Sequence, residues 1–174
     1  MYRILRAFAA LSVASMLVLA VAVPAGANST DRPFNGVLVG EGIAVPDASC
    51  PTTGLRTVMW ATGEVTHLGK ATTTMTHCTP PIAPPGGPPA LIVDGVQTIV
   101  AANGDTLETT YSAEVVPFEP VDGVTMTGPG QHVIIGGTGR FADASGEFAS
   151  MMHGVVHFTT PMELSWTLDG EIAY

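Results

Sequence analysis

The sequence predicts an all-β protein with about eight strands, arranged as an antiparallel sandwich or an up-and-down barrel. Three observations support this prediction. Apolar and polar residues alternate with a period of two in several segments, turn signals separate these segments, and no segment has a convincing helical period. The 174 residues suffice for one ordinary domain.

The first 27 residues have the pattern of a secretory signal peptide. Arg3 and Arg6 provide a basic start, residues 7–23 are apolar apart from two serines, and residues 25–27 form a small-x-small cleavage site. We therefore expect a secreted, extracellular domain of residues 28–174. The apolar run is short for a membrane span and no second long run follows, so we expect no membrane span after cleavage.

The charge balance bears on the choice of partner. Without Arg3 and Arg6, four basic residues remain against fifteen acidic ones, a formal net charge of −11. Nucleic acids and anionic membranes both require a basic patch on the protein. We expect neither as a partner, and the oligomeric state stays open.

Strands are predicted along the whole mature chain. The last of them shows the clearest alternation, with Met162, Leu164, Trp166 and Leu168 separated by charged and hydroxyl-bearing residues. A hairpin turn is indicated by Asn-Gly-Asp at residues 103–105. The predicted strands are residues 34–45, 56–65, 70–77, 96–102, 107–115, 124–135, 147–158 and 162–168.

Residues 79–89, TPPIAPPGGPP, interrupt this series of strands. Six prolines and two glycines cannot join the interior of a sheet, so they predict an exposed and partly extended loop. A proline-rich docking peptide is the alternative interpretation of this loop.

Cys50 and Cys78 are the two cysteines of the chain. In an exported protein such a pair predicts a disulfide, here one that joins the ends of a predicted hairpin.

Residues 136–141, GGTGRF, raise the question of a phosphate-binding loop. A dinucleotide site needs G-x-G-x-x-G at the start of a helix, but Ala142 occupies the last glycine position and a turn and strand follow. The lysine of a P-loop is also absent. The segment instead predicts a sharp turn or bulge anchored in the core by its phenylalanine. The residues of this predicted glycine corner are Gly136, Gly137, Gly139, Phe141, Ala144 and Gly146.

The side chains that could carry chemistry do not form a recognisable catalytic or metal site. His153 and His157 are four residues apart, but in a strand that spacing is about 13 Å, too far for one ion. We expect the five histidines at turns or on the surface, and no metal or cofactor. There is no G-x-S-x-G motif and no visible acid and base pair, so no catalytic residue is assigned.

Three residues are candidates for contact with a ligand. Tyr111 and Trp166 lie on the apolar faces of their predicted strands, where they either pack in a core or contact a ligand inside a barrel. His153 is the third candidate.

The segment GGTGRFADASGEF resembles the GGTG-x-F-x-x-A-x-G motif of dirigent proteins. With THLGK at residues 66–70, AANGDTL at 101–107 and the terminal DGEIAY, it is similar to exported bacterial proteins with an allene oxide cyclase-like barrel. The resemblance implies an eight-stranded antiparallel up-and-down barrel, calycin-like, with a hydrophobic interior and little or no helix. Plant members include cyclases of an oxylipin epoxide and proteins that direct phenoxy-radical coupling. Their acidic, tyrosine and arginine residues have no matching motif here, so the resemblance carries over the fold alone.

We therefore expect an exported barrel that binds a small apolar or aromatic molecule without catalysis. One alternative is an isomerase, a cyclase or a coupling-directing protein, in which Tyr111 or a histidine would meet a carboxylate. The other is a surface interaction protein that uses residues 79–89.

Overall fold

The fold is a closed barrel of eight antiparallel strands in a computed structural model that describes residues 30–119, 121–157 and 159–174. Each strand pairs with the next in sequence, and the last pairs with the first. The predicted fold class is confirmed, whereas the predicted signal peptide lies outside the described residues. The strands are β1 (Arg32–Pro46), β2 (Leu55–Val65), β3 (Gly69–Cys78), β4 (Ala90–Val100), β5 (Thr106–Val115), β6 (Thr125–Gly137), β7 (Ser145–Val155) and β8 (Met162–Ala173).

The single helical segment among the described residues is the short 3-10 turn Gly139–Phe141. None of the helical structure described has the length and hydropathy that a bilayer-spanning helix requires.

Each of the eight predicted segments corresponds to a strand. The largest difference is the start of β4, which begins at Ala90 rather than at residue 96. Its pairing with β5 shifts register between Ile92 and Gly95, so that Val93 and Asp94 are both exposed. This β-bulge interrupts the alternation of buried and exposed residues, which is why the pattern did not predict the first half of the strand.

The two ends of the barrel differ in their connections. The β2–β3, β4–β5 and β6–β7 connections lie at one end and are short; we call this the short-turn end. The β1–β2, β3–β4, β5–β6 and β7–β8 connections lie at the other, which we call the loop end. Residues 79–89 form the β3–β4 connection and therefore belong to the loop end.

Buried side chains fill the short-turn end. Leu68, Ala101 and Phe141, one from each short connection, are all buried, and the N–H of Ala102 donates to the carbonyl oxygen of Leu68 at 3.0 Å. The fully buried ring of Phe141 also packs edge-on against Tyr174 at 5.0 Å. This end of the barrel is consequently closed.

The glycine corner combines a bulge with a tight turn at the short-turn end. Gly136, Gly139 and Gly146 have φ angles of 124°, 57° and 134°, which side chains disfavour. The pairing of β5 with β6 passes from Gly136 to Ile134, so Ile135 is the bulged residue. At Gly146 a Cβ atom would lie 2.3 Å from the carbonyl oxygen of Glu171 on β8. The corner thus allows β7 to start close against β8.

Replacing Gly146 with alanine should destabilise the protein more than the same change at Gly54. Both residues have positive φ, but a Cβ atom at Gly54 would have no neighbour within 4 Å, whereas at Gly146 it would collide with backbone. We expect Gly146→Ala to lower the free energy of unfolding by about 1–3 kcal/mol more than Gly54→Ala in urea denaturation. Equal losses would contradict this account of the corner.

A disulfide between Cys50 and Cys78 ties the β1–β2 connection to the end of β3, as the sequence predicted. The same connection is held by Arg56, whose Nε donates to Asp47 Oδ2 at 2.6 Å. Hydrogen bonds from Ser49 and then from Arg56 lower the pKa of Asp47 to about 2. The disulfide and this ion pair therefore cross-link the loop end at the point where β1 ends, β2 begins and β3 ends.

Removal of the disulfide in the Cys50→Ala/Cys78→Ala variant should lower the free energy of unfolding. The bond closes a loop over a sequence separation of 28 residues, for which loop-closure entropy predicts about 3–4 kcal/mol. Denaturation of the wild type with and without reductant provides the comparison, since the reduced wild type should approach the variant. A variant as stable as the oxidised wild type would contradict the prediction.

Candidate functional site

The candidate site is an apolar cavity of about 150 Å³ inside the loop end of the barrel. Dry apolar cavities of about this volume bind benzene in other proteins. Residues of two loops cover part of this end of the barrel. Pro80 is buried, and Ile82 and Phe118 are half-buried against the core. Depressions on the outer wall are larger, up to about 650 Å³, but they are open to solvent and would bury little of a ligand.

Methionine is prominent in the wall of this loop-end cavity. Four methionines line it, one each from β2, β6, β7 and β8: Met59, Met126, Met152 and Met162. An unbranched thioether side chain adapts to the shape of its neighbours better than a branched one does. The cavity can therefore fit the outline of a small apolar guest.

A second and smaller cavity of about 40 Å³ lies deeper in the barrel. Its volume is about that of one water molecule. Tyr111, His132 and Trp166 line it, and His77 and Met59 line both cavities. The two spaces are thus adjacent, and Ile92, Val115 and Met152 also line both of them.

The structure brings two of the three predicted ligand residues into the barrel. Tyr111 and Trp166 are buried and line the deeper cavity. His153 is exposed on the outer wall of β7 and does not reach either interior cavity. The candidate site therefore does not include His153.

Tyr111 reaches across β4 to a histidine on β3. Its hydroxyl lies 2.7 Å from Nδ1 of His77, and both side chains are buried. Gly95 makes this possible, because it pairs with Tyr111 and a Cβ atom there would lie 2.5 Å from the tyrosine ring. The glycine leaves the inner face of β4 free for the ring to cross.

The protonation states of this pair follow from burial. Burial lowers the pKa of His77 to about 4, despite an opposing effect of Asp94, and it raises the pKa of the Tyr111 phenol. Both groups are consequently neutral at neutral pH. The phenol hydrogen has one available acceptor among the described residues, which is Nδ1 of His77, so we assign the imidazole hydrogen to Nε2 of His77.

His132 lies at the centre of the barrel in a stack of aromatic rings. Its ring is 5.0 Å from that of Tyr111 and 4.4 Å from that of Phe148, which in turn lies 4.8 Å from Phe34. Burial lowers the pKa of His132 to about 4. The stack fills the interior between the deeper cavity and the short-turn end.

Both nitrogens of His132 have partners inside the protein. Nε2 lies 3.0 Å from the hydroxyl of Ser150 and Nδ1 lies 3.5 Å from that of Thr109. The Thr109 hydroxyl donates to Gln97, and the Gln97 amide donates to Thr73 at 3.1 Å. Because the Thr109 hydrogen is used on Gln97, Nδ1 of His132 donates to Thr109 and Nε2 accepts from Ser150. This network is complete without a ligand.

The expectation that all histidines lie at turns or on the surface was wrong for His77 and His132. They are 5% and 3% exposed, respectively. His77 alternates in phase with the buried Ala71 and Met75 of β3, a signal present in the sequence that was not used. His67 does lie in a turn, with a φ angle of 67°.

Within residues 30–119, 121–157 and 159–174, no group of three or more histidine, cysteine or acidic side chains is arranged to hold an ion.

This chain matches no known protein family, curated protein or solved structure to which it was compared. The resemblance to the allene oxide cyclase-like and dirigent-like barrels therefore rests on the sequence motifs and stays a proposal.

The two buried histidines should make the stability depend on pH. In the unfolded chain each of these histidines has a pKa of about 6.5, whereas burial in the folded protein lowers this pKa to about 4. The free energy of unfolding should fall as the pH drops from about 7 to 4, by up to about 1.4 kcal/mol per pH unit for each histidine.

Denaturant titrations at several pH values test this expectation. His132→Gln should remove about half of the slope between pH 7 and 4.5, whatever its effect on the absolute stability. The pH limit keeps Asp47 out of the comparison, because its contribution is lost as the pH falls from its ordinary value of 3.8 to about 2. A stability that is constant between pH 7 and 5 would refute the burial of neutral histidines.

Proposed function

We propose that this protein is an exported barrel that binds one small apolar or aromatic molecule in the loop-end cavity and does not transform it. The apolar cavity of about 150 Å³ carries this proposal. A pocket that surrounds a guest removes most of its surface from water, and each CH₂ group so buried contributes about 0.8 kcal/mol. The cavity limits the guest to about the size of a single ring.

The chemical character of the wall supports binding rather than catalysis. Its polar side chains are Thr57, His77 and Thr79, and the two threonine hydroxyls bond to each other at 2.8 Å. His77 and Tyr111 are neutral at neutral pH for the reasons given above. Neither ring forms a hydrogen bond with a carboxylate in the described part of the chain. The carboxylate that would meet Tyr111 or a histidine in an isomerase is therefore not in place among the described residues.

An isomerase or cyclase remains the alternative function, and one observation favours it. The His77 and Tyr111 pair is a hydrogen-bonded unit beside a cavity, and such a unit can relay a proton. Incubation of candidate ligands with the protein distinguishes the two functions. A binder returns each ligand unchanged, whereas an isomerase converts it at a rate that Tyr111→Phe lowers.

Export and family are parts of the same proposal. A disulfide is typical of exported proteins, and it accords with the signal peptide predicted over residues 1–27. The closed eight-stranded barrel and the glycine corner accord with the allene oxide cyclase-like family. Detection of a processed chain in the medium of the source organism would test export.

A matched pair of valine variants tests the location of binding. Val115 is buried and lines the loop-end cavity, whereas Val133 is 46% exposed on the outer wall of β6. Toluene should bind to the wild type and to Val133→Phe with similar Kd, while Val115→Phe should weaken binding at least tenfold because the new ring occupies the cavity. Chemical-shift titration by NMR measures each Kd.

The absence of toluene binding to the wild type would contradict the proposed function. Equal binding to the two variants would place the toluene site outside this cavity and would also contradict it.

A further inference from the structure

His77 lines the loop-end cavity, and one of its two nitrogens has no hydrogen-bond partner among the described residues. Nδ1 of His77 is bonded to Tyr111, and Nε2 has no partner among the described residues. Every fully buried side-chain nitrogen and oxygen in those residues does have a partner. Nε2 must therefore border open space, and the open space lined by this ring is the pair of interior cavities.

The two buried histidines differ in this respect. His132 satisfies both nitrogens within the barrel, through Ser150 and Thr109. His77 is equally inaccessible from outside, at 5% exposure, yet it satisfies one nitrogen only. A buried polar group without a partner costs free energy, so a guest that supplies the partner gains affinity.

The tautomer determines what that partner must be. Because Nδ1 of His77 accepts the Tyr111 hydrogen, Nε2 bears a hydrogen and donates. The guest must therefore offer an acceptor. A carboxylate is disfavoured, since the imidazole is uncharged, the whole chain has a formal net charge of −9, and the rest of the wall is largely apolar.

We infer that the cavity takes a neutral carbonyl compound of about single-ring size, such as a ketone, ester or lactone, whose oxygen accepts a hydrogen bond from Nε2 of His77. A carbonyl is favoured over an alcohol, because an alcohol would also need an acceptor for its own hydrogen. This inference rests on the proposed function, and it adds the chemical class of the ligand.

Two probes of the same shape isolate the carbonyl contribution. Cyclohexanone and methylenecyclohexane differ by an oxygen atom in place of a CH₂ group, so only the ketone can accept a hydrogen bond. In the His77→Phe variant, cyclohexanone should bind about fivefold or more weakly than to the wild type, because its oxygen is left unpaired. Methylenecyclohexane should change by less than about twofold. NMR titration of the purified protein gives all four Kd values.

The outcomes separate this inference from the proposed function. If His77→Phe changes the binding of both probes equally, the carbonyl inference is overturned and the proposed function stands. If neither probe nor toluene binds to the wild type, the proposed function fails and the inference fails with it.

Pyrrole provides a third probe, because it donates a hydrogen bond but does not accept one. Dependence of its binding on His77 would show that Nε2 accepts, and would overturn the inference.

A measurement on the wild type avoids reliance on the variant. Long-range ¹H–¹⁵N correlation spectra report which nitrogen of His77 carries the hydrogen. We expect the hydrogen on Nε2, and we expect its ¹⁵N resonance to shift with cyclohexanone and not with methylenecyclohexane. A hydrogen on Nδ1 would overturn the inference.

Discussion

The pairing of β1 with β8 closes the sheet into a ring, and this closure sets the width of everything inside it. Leu38 of β1 lies opposite Trp166 of β8 and both side chains are buried, so the seam itself contributes to the interior. An eight-stranded ring is just wide enough for side chains to fill or for one small molecule to occupy. The closed sheet has no unpaired edge strand. Polar groups that face inward must form their hydrogen bonds within this narrow interior.

The packing of the interior changes along the barrel axis. At the short-turn end apolar side chains such as Phe141 and Leu68 close the barrel. The middle contains the aromatic stack and the network of His132, in which both imidazole nitrogens have hydrogen-bond partners. Towards the loop end the packing loosens into the methionine-lined cavity. The interior is therefore packed from the short-turn end to its middle and open towards the loop end, with His77 and Tyr111 at the boundary between these parts.

The strands could be predicted because alternation of apolar and polar residues reports directly on a face that is buried. The same alternation could not choose between a sandwich and a barrel, since both bury one face of each strand. The disulfide was predictable from the presence of two cysteines in a chain with a predicted signal peptide. The bulge in β4 was not, because Val93 and Asp94 break the period on which the prediction relied.

The candidate site was harder to predict for a related reason. His77 and Tyr111 are 34 residues apart and lie on strands separated by β4. Their contact depends on the register of two pairings and on a glycine that leaves room between them, and neither is visible in a pattern of single residues. Tyr111 and Trp166 were identified from their alternation, whereas His77 was set aside although it obeys the same rule.

The disulfide has a further consequence for recognition. Cys78 directly follows His77, so the strand that positions the donor nitrogen is covalently anchored one residue away, and the Tyr111 hydroxyl fixes the ring from the other side. The proposed donor is thus held in place without a guest. Binding of a guest as proposed would then cost little conformational entropy on the protein side, so even a small guest would retain most of the free energy that its contacts provide.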